Sequence, residues 1–129
     1  MILLKDIKNY MKETIDCPAW GISKRDSTDA KSITVYDTQT LPPTINIGGL
    51  QNTRIDSKAV SILIHWGKNP TEAELKANEV FNFFFGKEHY IQGHRIVDIN
   101  FRQGKPIFLG TDDNGVFEYT LELNFKYMK

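Results

Sequence analysis

AVSILIHWGKNPTEAELKANEVFNFFFG, residues 59–86, reads as a buried strand, a short loop and a capped helix. The strand is Ala59 to Trp66. It is apolar at Val60, Ile62, Ile64 and Trp66 and β-branched enough to favour an extended backbone. Gly67 to Asn69 is the loop. Asn69 suits an N-cap, Pro70 the first helical position, and Glu72 the place of a capping-box carboxylate. Ala73, Ala77, Val80, Phe81 and Phe84 then recur at helical spacing, and Gly86 suits the residue just past a helix end. The apolar faces match, so strand and helix are expected to cover each other.

Around this unit lies a chain of 129 residues, enough for one domain with a real core. Apolar residues make up 40% and charged residues 25%, a globular balance. Sixteen basic residues against sixteen acidic ones give a formal net charge of zero. That argues against a general polyanion binder, which carries a basic excess, and leaves little repulsion against self-association. The one cysteine, Cys17, cannot form an internal disulfide, which fits a reducing compartment. No apolar run reaches the roughly 18 residues of a membrane helix. MILLKDIKNYMKE mixes acids and lysines among its apolar positions, so it does not read as a signal peptide, and the chain is expected to stay where it is made.

Residues 2–15 predict an amphipathic helix, with Leu4, Ile7, Met11 and Ile15 on one stripe and Leu3 and Tyr10 beside it. Cys17-Pro18 ends it. Residues 18–31 read as a polar connection in which Trp20 serves as a lid over the core rather than a ligand platform. Ser32 to Tyr36 is a short strand. Residues 37–58 hold Pro42, Pro43, Gly48 and Gly49 without a clear period and read as a long loop, with a short strand near Thr44 to Ile47 as one option. Lys87 to Gly93 is a turn region. Ile96 to Arg102 is a strand with Val97, Ile99 and Phe101 on one side and Asp98, Asn100 and Arg102 on the other. Ile107 to Leu109 is a brief extended piece, and Asp112-Asp113-Asn114-Gly115 is a hairpin turn. Val116 to Tyr127 is the clearest strand: Phe117, Tyr119, Leu121, Leu123, Phe125 and Tyr127 alternate with Glu118, Thr120, Glu122, Asn124 and Lys126.

Parallel sheets are buried on both faces and read as continuous apolar runs, and these strands do not. The expectation is therefore an α+β fold: a mostly antiparallel sheet with one face covered by two helices, at about residues 2–15 and 70–85, in a single domain over 1–129.

No motif carries catalytic chemistry. His65 lies on a strand, and His89 and His94 are five apart across a turn, unlike the short convergent spacing of metal ligands; one partly buried and two surface histidines are expected. Asp112, Asp113, Asn114 and Gly115 lack the alternating acids and distal glutamate of a calcium loop. Gly48-Gly49 precedes neither a lysine-serine pair nor a helix start, so it is no phosphate cradle. Cys17 has no nearby base to activate it and reads as an idle thiol. Glu72, Glu74 and Glu79 read as the solvated face of the helix. Phe83, Phe84 and Phe85 cannot all face one core, because neighbours differ by about 100° around a helix. Phe83, with Phe85 or Leu75, is thus a candidate for exposure to a partner, unless residues near Tyr90 cover it. Glu118, Glu122 and Lys126 are either interface charges or solvated. No catalytic, metal or cofactor-binding residue is predicted.

Three segments carry a resemblance: SITVYDTQTLPP (32–43), VSILIHWGKNPTEAELKANEVFNFFF (60–85) and PIFLGTDDNGVFEYTLELNF (106–125). In this order they resemble the minor capsid or tail-completion proteins of tailed bacteriophages, in the tail terminator group. The marks are the strand running into the helix at Pro70 with Glu72, Ala73 and Ala77, and Pro106, Leu109-Gly110, Asp112 and Gly115 ahead of a final strand with Asn124-Phe125. The resemblance implies a structural virion protein with no reaction and no cofactor. It implies a ring, expected to be hexameric, that ends the tail tube and meets both the tube protein and head–tail connector proteins. It implies assembly in the host cytoplasm and no specific nucleic acid or membrane partner. The 37–58 loop and the 18–31 connection would meet neighbours. The reading set against it is a small ligand-binding or enzymatic α+β domain with a deep polar pocket; a nucleic-acid module ranks below both.

Overall fold

In the computed structural model, residues 1–24, 30–38 and 54–129 are described. The elements are α1 (Leu4–Lys12), β1 (Trp20–Ile22), β2 (Lys31–Asp37), β3 (Ile55–Trp66), α2 (Pro70–Phe84), β4 (His89–Ile91), β5 (His94–Phe101), β6 (Ile107–Thr111) and β7 (Phe117–Met128). Six strands follow one path, β1-β2-β3-β7-β5-β4, and β6 joins as a seventh by pairing with β7 beyond the end of β5. Every pairing is antiparallel except that of β1 with β2.

The expected helix-covered antiparallel sheet is not what forms. Among described residues 46% are strand and 22% helix, and the sheet curls into a half-barrel, so the fold is mostly β rather than α+β with a sheet roofed by two helices. Several strands hide from a pattern search. Trp20–Ile22 lies in the presumed polar connection and pairs with Ile33, Thr34 and Val35. His89–Ile91 lies in the presumed turn region. It joins β5 through Gln92-Gly93, both at positive φ (52° and 76°), as a tight two-residue hairpin requires. β3 begins at Ile55, inside the presumed 37–58 loop, and β2 runs on to Asp37. The rest of that loop, including the optional strand at Thr44 to Ile47 and Gly48-Gly49, lies outside the described residues.

Curling has identifiable causes. Bulges interrupt the ladders between Ile96 and Asp98 and between Phe108 and Gly110, and a bulge bends its strand and increases the local twist. The first bulge also shifts the face of β5. Ile96 is buried and Val97 exposed, so the predicted grouping of Val97 with Ile99 and Phe101 fails at its first member. The helix α1 bridges the curl, touching β1 and β2 near one end of the path and β4 at the other. It is shorter than the expected 2–15, although Ile2 and Ile15 are buried beyond its ends together with Ile7 and Met11.

The second helix, α2, lies against β3 and β7. Asn69 caps it: its Oδ1 accepts from the N–H groups of Thr71 (2.9 Å) and Glu72 (3.3 Å). Glu72 pairs with Lys31 at 3.7 Å, and Gly86 follows the helix at φ 70°. Beneath the helix, Phe84 is fully buried and meets Phe125 edge-on at 5.4 Å. Lys76 is buried as well. Its Nζ sits 4.8 Å from the centre of the Trp66 ring and 3.1 Å from Glu79, so ring and carboxylate together offset the loss of water around the ammonium.

Phe84→Ala should lower unfolding free energy by about 3–5 kcal/mol, as Phe-to-Ala cavities do. Chemical denaturation checks this, and an unchanged midpoint would remove Phe84 from the core.

Candidate assembly surface

Among the described residues, three histidines, two apolar surface regions and one thiol have chemical or recognition potential. The expectation of one partly buried and two surface histidines is wrong, because His65 and His89 are both buried and His94 is half-buried. His65 sits on β3 opposite Glu118 of β7. Its Nδ1 lies 3.4 Å from the Glu118 carboxylate and its Nε2 3.6 Å from that of Asp112. Asp112 in turn holds the β6–β7 turn: its Oδ1 accepts from the N–H groups of Asn114 and Val116, each at 2.9 Å. Asp112, Asp113, Asn114 and Gly115 therefore form a turn fastened to the sheet through an imidazole. Only the strand register brings Asp112 and Glu118 to His65, so no sequence spacing could have signalled it.

His89 has a different setting. Its Nε2–H donates to the Phe84 carbonyl (3.3 Å), and its Nδ1 accepts from the Tyr10 hydroxyl. Phe83 and Phe84 pack against the ring. Burial holds its pKa below the usual histidine value, with the Phe84 carbonyl opposing. The neutral imidazole is thus a bolt between α1, the end of α2 and β4. His94 receives less cover; its Nδ1–H donates to the Met128 carbonyl at 2.8 Å. Cys17 donates its S–H to the Ala19 carbonyl (3.0 Å), and burial raises its pKa, away from a reactive thiolate. Among described residues no group of three or more His, Cys, Asp or Glu could hold a metal ion, and no helix is long and apolar enough to cross a membrane.

The apolar surface is where the sequence and the structure part most usefully. Phe83, a candidate for exposure, is half-buried against Tyr10, Phe84 and His89, so the alternative holds: a residue next to Tyr90 helps to cover it. Phe85 and Leu75 are exposed, at 59% and 66%. Phe85 stacks on Phe81 at 5.5 Å and leans on Phe101 at 5.8 Å. A second region, at β6, was not foreseen. Phe108 and Leu109 are each 54% exposed, and Phe108 packs on Tyr119 (5.2 Å) and Phe117 (6.1 Å). Beside them Glu74, Asn78, Lys105 and Pro106 border an open depression of about 370 Å³. The signal for this region was present in Ile107-Phe108-Leu109, too many apolar residues in a row for a strand paired on one edge. Of the outer-face charges, Glu118 belongs to His65, Glu122 pairs with Arg102 at 3.1 Å, and Lys126 is exposed. Glu72, Glu74 and Glu79 are exposed as expected.

The depression is open and borders the exposed apolar side chains of β6, an arrangement suited to meeting another protein surface. Among known families, a model described as bacteriophage tail terminator protein matches residues 18–129. No curated protein matches the chain.

The His89 setting has a pH consequence. Its folded-state pKa is lowered, so the unfolded chain takes up the proton first, and this contribution to stability is present above the ordinary histidine value of about 6.5 and lost as pH falls below it. His89→Gln should flatten the fall in stability between neutral and mildly acidic pH relative to the wild type, as measured by denaturation midpoints. An identical pH profile in the variant would contradict the assignment.

Proposed function

The chain belongs to the bacteriophage tail terminator family, a structural part of the phage tail and so of the virion, and from that premise we propose that its copies form a ring, expected to be hexameric, that closes the finished end of the tail tube and offers a face to the head connector. Assembly would take place in the host cytoplasm, with the tube protein and connector proteins as partners and no cofactor. The observation that carries the proposal is the family match, which spans β1 to the end of β7. The surface supports it physically. Phe108, Leu109 and Leu75 expose large apolar side chains on a chain with a formal net charge of zero, so copies can approach without long-range repulsion. A head-to-tail contact that repeats by a fixed rotation closes a ring. The β6 corner is the surface we assign to it, because two exposed apolar side chains lie there in succession beside an open depression.

Phe108→Glu tests this. Phe108 is more than half exposed, so the variant should melt within a few degrees of the wild type. Wild-type protein mixed with purified tail tubes should appear by electron microscopy as a ring at one tube end, and the variant should leave the ends bare. Wild-type protein that forms no rings and does not bind tube ends would overturn the proposal.

A further inference from the structure

The two edges of β5 differ. One pairs with β7 from Ile96 to Phe101. Among the described residues, the other is paired at its start alone, where β4 pairs with His94, Arg95 and Ile96. From Val97 to Phe101 no described strand lies on this outer side. One hydrogen bond fixes which backbone groups face outward. The Arg102 N–H donates to the Glu122 carbonyl of β7 at 3.1 Å. Backbone groups alternate sides along a strand, so Asn100 also faces β7, while Ile99 and Phe101 turn N–H and C=O outward. Beside them lies an open depression of about 350 Å³, bordered by Phe84, Gly86, Val97, Ile99 and Phe101. An exposed edge of this kind is a template for another strand.

Its side chains select the strand. Consider antiparallel pairing of Asp98-Ile99-Asn100-Phe101-Arg102 with the same segment of a second copy, about a two-fold axis at Asn100. Asn100 then faces Asn100 of the second copy, each Ile99 faces a Phe101, and each Asp98 faces an Arg102. The polar side gains two opposite-charge pairs and the apolar side two Ile–Phe pairs. Ile99 and Phe101, whose backbone groups point outward, become the hydrogen-bonded positions. A slip of one residue sets apolar against polar side chains, and a slip of two loses both charge pairs. We propose that β5 pairs edge to edge with β5 of a second copy in this register, making the free chain a two-fold dimer. The contact closes on itself, so it is distinct from a head-to-tail ring contact and does not rest on the ring.

Sedimentation of the full chain across a range of concentrations tests this. Asp98→Arg turns two attractions into repulsions and should raise the dimer dissociation constant roughly tenfold or more, with Arg102→Asp acting alike. The double exchange should restore wild-type affinity, which a loss of the exposed Arg102–Glu122 pair alone would not allow. A second measurement reads the register. In a Cys17→Ser background, Asn100→Cys should cross-link on mild oxidation, because facing Cα atoms in a non-hydrogen-bonded pair lie about 4.5 Å apart, within disulfide reach. Asp98→Cys in that background should not cross-link. A monomeric wild type, charge variants that dimerise unchanged, or equal cross-linking at both positions would overturn the proposal.

Discussion

The pairing of β3 with β7 is the constraint on which the rest depends. It runs without interruption from Ile55 opposite Met128 to His65 opposite Glu118. Because side chains alternate along a strand, one register puts Val60, Ile62 and Ile64 beside Leu123, Leu121 and Tyr119, and a slip of one residue would turn every one of them outward. On its other edge β3 carries β2, which places Ile33 and Val35 beside Ile64 and Ile62. On its other edge β7 carries β5 and β6 end to end. The apolar sides of these strands and the buried faces of the two helices make one core.

Polar groups then lock the ends of the sheet. The Ile2 N–H donates to the Tyr127 hydroxyl, and that hydroxyl donates to Asp56, each at 3.3 Å, so the start of the chain, β3 and β7 meet in one small chain of hydrogen bonds. The Asp6 carboxylate accepts from the Leu3 N–H at 2.8 Å and starts α1. Tyr10, His89 and the Phe84 carbonyl connect α1 to the end of α2 and to β4. His65 fastens the β6–β7 turn. Together these contacts tie both helices and the β6–β7 turn to the sheet. Among the described residues, these contacts leave uncovered the β6 corner and the outer edge of β5, the two surfaces we propose for contacts with other chains.

How much of this could be read from residues varies with the kind of signal. The strand into Trp66, the helix from Pro70 and the long final strand were legible because each has a strong period and, for the helix, a cap. The stripe of α1 was legible for the same reason. β1 and β4 were not: three residues carry no period, and Trp20-Gly21-Ile22 and His89-Tyr90-Ile91 are strands only because neighbours pair with them. The turn region at Lys87 to Gly93 does hold the turn Gln92-Gly93, but its two-residue form was not legible because glutamine rarely takes positive φ. The curl was invisible because bulges depend on register, which no single strand records. The same limit explains the fold-class error: alternation told that one face of the sheet is apolar, and nothing in it told how far the sheet bends. Among candidate residues, Phe85 and Leu75 were legible from crowding on a helix, whereas the roles of His65 and His89 arise from strand partners and helix ends far away in sequence.

Native-state hydrogen exchange is the most direct test of the central pairing. Amides bonded between β3 and β7 should exchange only through global unfolding, with the free energy found by denaturation, while those of β1 and β4 at the ends of the path should exchange through smaller openings. Amides of β3 and β7 that open more easily than those of β1 and β4 would contradict the account.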